Sequence, residues 1–309
     1  MFTYRSNVLV VFNQKGGVGK TTTVSILTEY GALIHKIKEG RKKRKARLLV
    51  IDVDMQCNTS EYFVGMEPAP EVKGGQLPPK HPDWEGEEDI NERSTIVDWF
   101  DEEGKQVLPH SVYVGDDCEV DIIVGHPAEI EELNERYDRA SGDIDERIVN
   151  HLGYLVHDEA VAEAYDLIII DTGPSRSPIF RAALRAATHV VIPFEPEEKS
   201  LQGVNAMVQA VNAENLSRKK GQPQIDNIGL LPNKVRVGTK LHKENTQLVR
   251  DMLPKLAMDK DLYIPLATAI PARDVKGARP ATLFHLGKKE QARIKAEAVG
   301  KAVYERIFG

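Results

Sequence analysis

Short apolar runs alternate along the chain with longer amphipathic stretches. The runs lie at residues 8–12, 47–53, 119–124, 166–171, 189–194, 227–231 and 262–266. Most of them, such as Val8-Leu9-Val10-Val11-Phe12 and Ile168-Ile169-Ile170, lack the polar residue at every second position that marks a half-exposed strand. They are therefore predicted to be strands buried on both faces. The amphipathic stretches at 20–37, 128–140, 144–164, 176–187, 200–215, 240–257 and 288–307 predict helices. Strands interleaved with helices predict an α/β fold, a doubly wound and mostly parallel sheet flanked by helices. Ligands of such sheets bind at the carboxyl ends of the strands. The loops after 8–12, 47–53 and 166–171 should then meet at one site.

Two stretches interrupt this pattern. Residues 36–47 hold eight Lys or Arg and one Glu, and residues 66–92 are rich in prolines and acids, including Glu85, Glu87, Glu88 and Asp89. Both read as surface insertions in a single domain spanning residues 1–309, the second with the composition of a mobile excursion. No internal repeat is present. A hydrophobic content of 41% over 309 residues supports a real core. The net charge of −6 argues against wholesale coating of nucleic acid, but leaves room for a local basic patch. Cys57 and Cys118 are the only cysteines, which gives no disulfide framework and suits a reducing cytoplasm. The chain enters its first strand without a basic-then-apolar leader, and no apolar run approaches a membrane span.

The first strand runs into Asn13-Gln14-Lys15-Gly16-Gly17-Val18-Gly19-Lys20-Thr21-Thr22. This is a strand, a phosphate-binding loop and a helix in the required order. Gly16, Gly17 and Gly19 let backbone N–H groups turn inward around phosphate oxygens, and the helix starting near Lys20 points its positive dipole end at the same anion. Lys20 can reach β- and γ-phosphates, and the Thr21 hydroxyl can sit on Mg²⁺. Gln14 stands where the usual loop has its first glycine, and Lys15 is an additional lysine. Two acidic strand ends should face this loop. Asp52 and Asp54 close the run Leu48-Leu49-Val50-Ile51, and Asp171 closes Ile168-Ile169-Ile170. An acid at the end of an apolar strand suits the Mg²⁺ shell of a nucleoside triphosphatase.

These motifs resemble the ParA family of deviant-Walker P-loop ATPases, which position plasmids, chromosomes and other cargo, within the wider group that includes MinD. The loop Lys15-Gly16-Gly17-Val18-Gly19-Lys20-Thr21-Thr22 carries the most specific match. Asp52-Val53-Asp54-Met55-Gln56 is similar to the family's Asp-x-Asp-Pro-Gln switch, with Met55 for the proline. Asp171-Thr172-Gly173-Pro174-Ser175 is similar to Asp-x-Pro-Pro-Ser, with Gly173 for the first proline. Val191-Ile192-Pro193-Phe194-Glu195-Pro196-Glu197, Ile228-Gly229-Leu230-Leu231, Thr239-Lys240-Leu241 and Ala269-Ile270-Pro271 follow in family order. The resemblance covers most of the chain apart from the two insertions.

The resemblance implies ATP and Mg²⁺ as cofactors and a homodimer that forms on ATP binding. Lys15 would reach across that dimer to the partner's ATP, and Gly17 would allow the close approach. Lys20, Thr21 and Thr22 would bind phosphates and metal, Asp54 would orient the attacking water, and Asp52 and Asp171 would hold the magnesium shell. Asn233, Pro193, Glu195 and Pro196 are candidate adenine contacts. Non-specific DNA is the implied partner, with candidate contacts at Arg273, Lys276 and Arg279, at Arg41, Lys42, Lys43, Arg44, Lys45 and Arg47, and at Lys288 and Lys289. A ParB-like centromere-binding or adaptor protein would stimulate slow hydrolysis. With the loop starting at Lys15, no room precedes it for a helix-turn-helix domain, so the short type is expected, cytoplasmic and nucleoid-associated rather than membrane-bound. The alternatives are a MinD-like membrane positioner and a positioner of protein cargo. Residues 288–309 offer Lys288, Lys289, Arg293 and Lys295 but Ala-rich apolar positions, a weak lipid anchor. Neither cysteine lies where a nitrogenase-type iron protein would share a cluster, and Tyr304 stands without the tyrosine cluster of a kinase relative.

Overall fold

The computed structural model describes residues 2–84, 93–100, 107–114, 118–138, 143–174, 176–267, 269–272 and 282–309. In chain order the strands are β1 (Val8–Val11), β2 (Ile37–Glu39), β3 (Lys42–Arg44), β4 (Leu48–Val53), β5 (Glu67–Pro68), β6 (Gln76–Leu77), β7 (His110–Val114), β8 (Cys118–Ile123), β9 (Leu167–Thr172), β10 (His189–Phe194) and β11 (Asp226–Pro232). The helices are α1 (Lys20–Leu33), α2 (Asn58–Phe63), α3 (Pro127–Asp138), α4 (Asp143–Val156), α5 (Glu159–Ala164), α6 (Pro178–Ala186), α7 (Glu198–Ser217), α8 (Lys240–Met252), α9 (Ala269–Ala272) and α10 (Gln291–Phe308). Seven strands form one sheet in the order β11-β10-β1-β9-β4-β8-β7, parallel except for β7 at the edge.

The continuous apolar runs end up where their composition requires. Every residue of β1, β4 and β9 is buried, because helices cover both faces of the sheet. On one face Val8, Val10, Ile51 and Ile170 pack with Ile179, Ala183, Leu152 and Met207 of α6, α4 and α7. On the other, Leu9, Val11, Val50 and Ile169 pack with Val24 and Leu27 of α1 and with Ala296, Val299 and Val303 of α10. Tyr304 is fully buried there, donating its hydroxyl to the Leu27 carbonyl at 3.0 Å. The apolar face of α10 is thereby spent against α1, and among the described residues no helix is long and apolar enough to cross a membrane.

Several sequence expectations are corrected. Residues 262–266 do not form a strand. Ile264 N–H bonds to the Pro232 carbonyl and Leu266 N–H to the Val235 carbonyl, but the facing chain leaves extended geometry at Lys234, whose φ is 52°, and an isolated bridge, Val235 to Pro265, results. The helix expected over 144–164 breaks after Val156. Asp158 caps the new helix α5 by accepting the Ala160 N–H at 2.9 Å. Strand β7 was not anticipated. Residues 36–47 fold as a hairpin of β2 and β3. The described part of 66–92 contains the short β5–β6 pair, with Met66, Ala69 and Leu77 buried, so it packs on the body rather than standing off it. Residues 85–92 of that stretch lie outside the described residues.

Candidate functional site

The carboxyl ends of β1, β4 and β9 converge, as parallel pairing demands. Val11 is the register partner of Asp171, and Asp171 is in turn the partner of Asp52. The loop between β1 and α1 curls over these ends. Gly17 and Gly19 adopt φ of 75° and 85°, where a side chain is strained, and Gly19 occupies the cap position of α1. Gly16 and Gly17 face open space. Asn13 anchors the start of the loop. It is buried, its amide donates to the Pro193 carbonyl at 2.8 Å, and its carbonyl oxygen accepts the Lys15 N–H at 2.9 Å. Gln14 turns its amide nitrogen into a buried position without a hydrogen-bond partner among the described residues.

Lys20 is buried beneath the loop. Desolvation lowers its pKa, and the charges of Asp171 and Asp54 oppose that fall. Asp171 is fully buried, and its Oδ2 accepts the hydroxyls of Thr21 at 2.7 Å and Thr59 at 2.6 Å. Its Oδ1 is buried with no hydrogen-bond partner among the described residues. Burial holds this carboxyl up at about 6, with Asp54's charge adding to the rise and the two threonines and Lys20 offsetting it. Asp52, also fully buried, is pushed to about 8 by burial first and then by the Asp171 and Asp54 charges. Its Oδ2 accepts both the N–H and the hydroxyl of Ser60 at 2.8 Å, and its Oδ1 accepts the Asp54 N–H at 3.1 Å. Asp54 is 5% exposed and accepts the Gln56 N–H at 3.0 Å.

This is a site short of positive charge. Three buried carboxylates face one buried ammonium, and two of the three are held above the ordinary aspartate range. An orphaned carboxylate oxygen beside a threonine hydroxyl fits a hard divalent cation. Among the described residues no three His, Cys, Asp or Glu side chains converge as a cage. That agrees with Mg²⁺, which is usually held by one or two carboxylates together with substrate phosphates.

The structure thus brings together Lys20, Thr21, Asp52, Asp54 and Asp171. Thr22 lies in the first turn of α1, and Val18 is fully buried behind the loop. Lys15 sits at the rim, its ammonium 3.9 Å from Glu197. Asn233 lies behind the loop rather than beside it. It is 1% exposed and donates to the Gly19 carbonyl at 3.1 Å and to Thr23 Oγ1 at 3.2 Å, so close that a Cβ on Gly19 would collide with it. Pro193 and Pro196 are buried and lend their carbonyls to Asn13 and Asn245, while Glu195 is half-buried. Arg41, Lys42, Lys43 and Arg44 lie on the hairpin at the amino ends of the strands, away from the loop. Arg273, Lys276, Arg279 and Ser175 lie outside the described residues. Sequence reasoning missed Asn13, Thr59, Ser60 and Glu197. The hydroxyl pair Thr59-Ser60, opening a helix directly after the acidic strand end, was a readable signal for two of them.

A family model described as an AAA domain matches residues 6–224. A ParA family protein of Mycoplasma pneumoniae is 26% identical over 253 residues, covering 80% of this chain and 78% of its own length. The solved ATP complex of a Cyanothece McdA variant superposes with a TM-score of 0.68 at 19% identity, covering 97% of each chain. The structure of pNOB8 ParA bound to nonspecific DNA superposes with a TM-score of 0.56 at 21% identity, covering 98% of each. At these identities the two solved structures speak for the fold alone.

Proposed function

The chain belongs to the ParA family of AAA-domain ATPases, and on that premise we propose that it is a Mg²⁺-dependent ATPase whose ATP-bound homodimer rides on nucleoid DNA and positions a cargo. The cargo is a plasmid or chromosome partition complex, and a ParB-like partner accelerates an otherwise slow turnover. ATP and Mg²⁺ are the cofactors that the site suits. The observation that carries the reading is the pairing of a buried, cation-poor phosphate site with a lysine at its open rim.

Lys20, desolvated under the loop, neutralises the β- and γ-phosphates, and the glycine N–H groups hold their oxygens. When bound, Mg²⁺ supplies Lewis-acid stabilisation of the phosphate charge, with Thr21 and Asp171 holding its shell and Asp52 behind them. Asp54 orients the attacking water. Thr59 and Ser60 fix the two buried carboxylates from the switch helix α2, so the acids cannot rotate away. Asn233 braces the loop from below. Lys15 has no task in its own site that Lys20 does not perform. It lies at the open rim beside the bare surface of Gly16 and Gly17, from which it would reach a partner's phosphates. The pNOB8 ParA structure, bound to nonspecific DNA, supports the DNA reading for a chain of this fold.

The test separates the two lysines. Lys20→Ala should abolish ATP binding in calorimetry. Lys15→Ala should still bind ATP, yet show neither the ATP-induced doubling of mass in light scattering nor turnover. In wild type at moderate salt, ATP should raise affinity for a random-sequence duplex at least tenfold over ADP. A Lys15→Ala protein that dimerises and turns over normally removes the dimer reading, and equal duplex affinity in ATP and ADP removes the DNA-riding one.

A further inference from the structure

The basic insertion is a built feature at the end of the molecule opposite the phosphate loop. Helix α1 starts at that loop and runs for 14 residues, which carries the chain about 20 Å away before the hairpin begins. The hairpin turns through Gly40, at φ 59°, as the first central residue of a two-residue turn. Ile37 of its first strand packs against the core, and Arg44 fastens its second. Arg44 forks onto Asp166, with Nη1 to Oδ2 at 2.6 Å and Nη2 to Oδ1 at 2.7 Å, and also donates to Glu39. Asp166 further accepts the Arg47 N–H at 2.8 Å and donates its own N–H to the Arg47 carbonyl at 2.9 Å. Arg47 and Asp166 immediately precede β4 and β9. The hairpin is thus stapled to the amino ends of the two central strands whose carboxyl ends carry Asp52 and Asp171.

The staple consumes the only acid of the insertion. Lys36, Lys38, Arg41, Lys42 and Lys43 are exposed and have no ion pair among the described residues. Lys38 lies directly opposite Lys43 across the ribbon, a like-charge pairing that costs stability rather than supplying it. An anion between those two lysines would relieve the cost. The tip, Lys38-Glu39-Gly40-Arg41-Lys42-Lys43, has no apolar side chain to enter a lipid surface. A two-stranded ribbon is a shape that the major groove of a duplex admits, and exposed Lys and Arg on it neutralise backbone phosphates.

We propose that the β2–β3 hairpin is a second nucleic-acid contact that grips duplex phosphates whatever the nucleotide state. It is stapled to the sheet at a distance from the phosphate loop, so ATP binding need not assemble it. The inference goes beyond the proposed function, in which DNA binding waits for ATP. If that function also holds, a dimer closed across its phosphate loops carries one hairpin at each far end, placed to hold two separate duplex segments.

The experiment uses the full chain and a labelled random-sequence duplex at low salt without nucleotide, followed by anisotropy over a salt titration. Wild type should bind weakly. The combined Arg41→Gln, Lys42→Gln, Lys43→Gln variant should lose at least tenfold in affinity, and its salt dependence should flatten by about 2 to 3 units of slope, near one for each phosphate no longer neutralised. Lys42→Arg with Lys43→Arg should bind as wild type, which ties the effect to charge. Melting temperature should not fall in either, and ATP turnover and the ATP-driven increment in duplex affinity should be unchanged in both, so that failure here is distinct from failure of the ATP-gated reading. Absence of any nucleotide-free binding by wild type would overturn the proposal, as would a glutamine variant that binds like wild type. Hairpin-dependent capture of phosphatidylserine vesicles with no duplex binding would overturn it in favour of a membrane.

Discussion

Strand β9 has an aspartate at each end, and the two have opposite fates. Asp166 at the amino end is partly exposed. Burial alone would raise its pKa, but the Arg44 hydrogen bond, the Arg47 N–H and their charges outweigh that and lower it. Asp171, five residues on, is fully buried, accepts two threonine hydroxyls beside one buried lysine, and is held up at about 6 by burial and by the Asp54 charge. The first is a finished ion pair that fastens one surface feature. The second is an unfinished one, with an oxygen lacking any hydrogen-bond partner among the described residues. A fold tolerates an unfinished buried charge where something binds to complete it. The amino end of the sheet is therefore organised for stability, and the carboxyl end is organised for a ligand at some cost in stability.

Exchanging each acid for its amide should break the comparison most widely. Asp171→Asn should lower Mg²⁺-dependent ATP affinity by about 10- to 100-fold, while the nucleotide-free protein unfolds no earlier than wild type. The amide oxygen still accepts from Thr21 and Thr59, and the repulsion from Asp52 and Asp54 is gone. Asp166→Asn should do the reverse. It should cost about 1 to 2 kcal/mol of stability through the weakened Arg44 staple, with ATP affinity unchanged. Calorimetric titration and denaturant melts of the same two proteins decide the matter. A destabilised Asp171→Asn with intact ATP binding would remove the distinction between the two ends.

The same contrast should appear against pH, with opposite signs. Asp171 and Asp52 are raised from the ordinary value of 3.8, so the folded chain holds protons that the unfolded chain has released. Their contribution favours the fold at low pH and is withdrawn as pH rises through about 6 for Asp171 and about 8 for Asp52. Asp166 is lowered, so its contribution is present above 3.8 and is lost as pH falls through its folded value. His157 and His110, both lowered to about 4 by burial, add a trend of their own. The reading is therefore the difference between variant and wild type. The melting advantage of nucleotide-free Asp171→Asn should grow from acid to neutral pH, and the deficit of Asp166→Asn should be full at neutral pH and vanish in acid. A flat difference for either variant would contradict the assigned shift.

Much of the carboxyl end was legible in the sequence, because its determinants are local. Strand runs buried on both faces are continuous in Val, Ile and Leu, and the loop's glycines and lysines are contiguous, so β1, β4, β9 and their acids fell within a residue or so of expectation. What escaped depends on distant partners. Thr59 matters because β4 and β9 are neighbours, which brings it to Asp171, and Asn233 matters because β11 ends behind the loop. The amino end was harder to read. Its hairpin is built from charged residues with no hydrophobic period, and its anchor, Asp166, is 122 residues away from Arg44. Residues 262–266 misled because an apolar run signals burial, not hydrogen-bond pattern, and the facing chain leaves extended geometry at Lys234.

The smallest expected effect asks how finely the carboxyl end is set. Gly173 replaces the proline expected in its motif, and its φ lies outside the left-handed range, so only space is at issue there. A Cβ at that position would lie 3.2 Å from Asp54 Oδ1. Asp54 is buried and already tied to the Gln56 N–H, so it must yield by a few tenths of an ångström. In the proposed mechanism that carboxylate places the attacking water, and since a displacement of about 1 Å costs on the order of 100-fold in rate, a few tenths should cost several-fold. Gly173→Ala should thus lower kcat several-fold and leave ATP affinity and melting temperature as they are. Gly40→Ala at the other end meets no atom within 4 Å, but holds φ at 59°. It should cost about 1 kcal/mol of stability and nothing in turnover. Paired single-turnover and melting measurements on the two alanines set a rate effect without a stability effect against its converse. If Gly173→Ala turns over at the wild-type rate, Asp54 is not the residue that places the water.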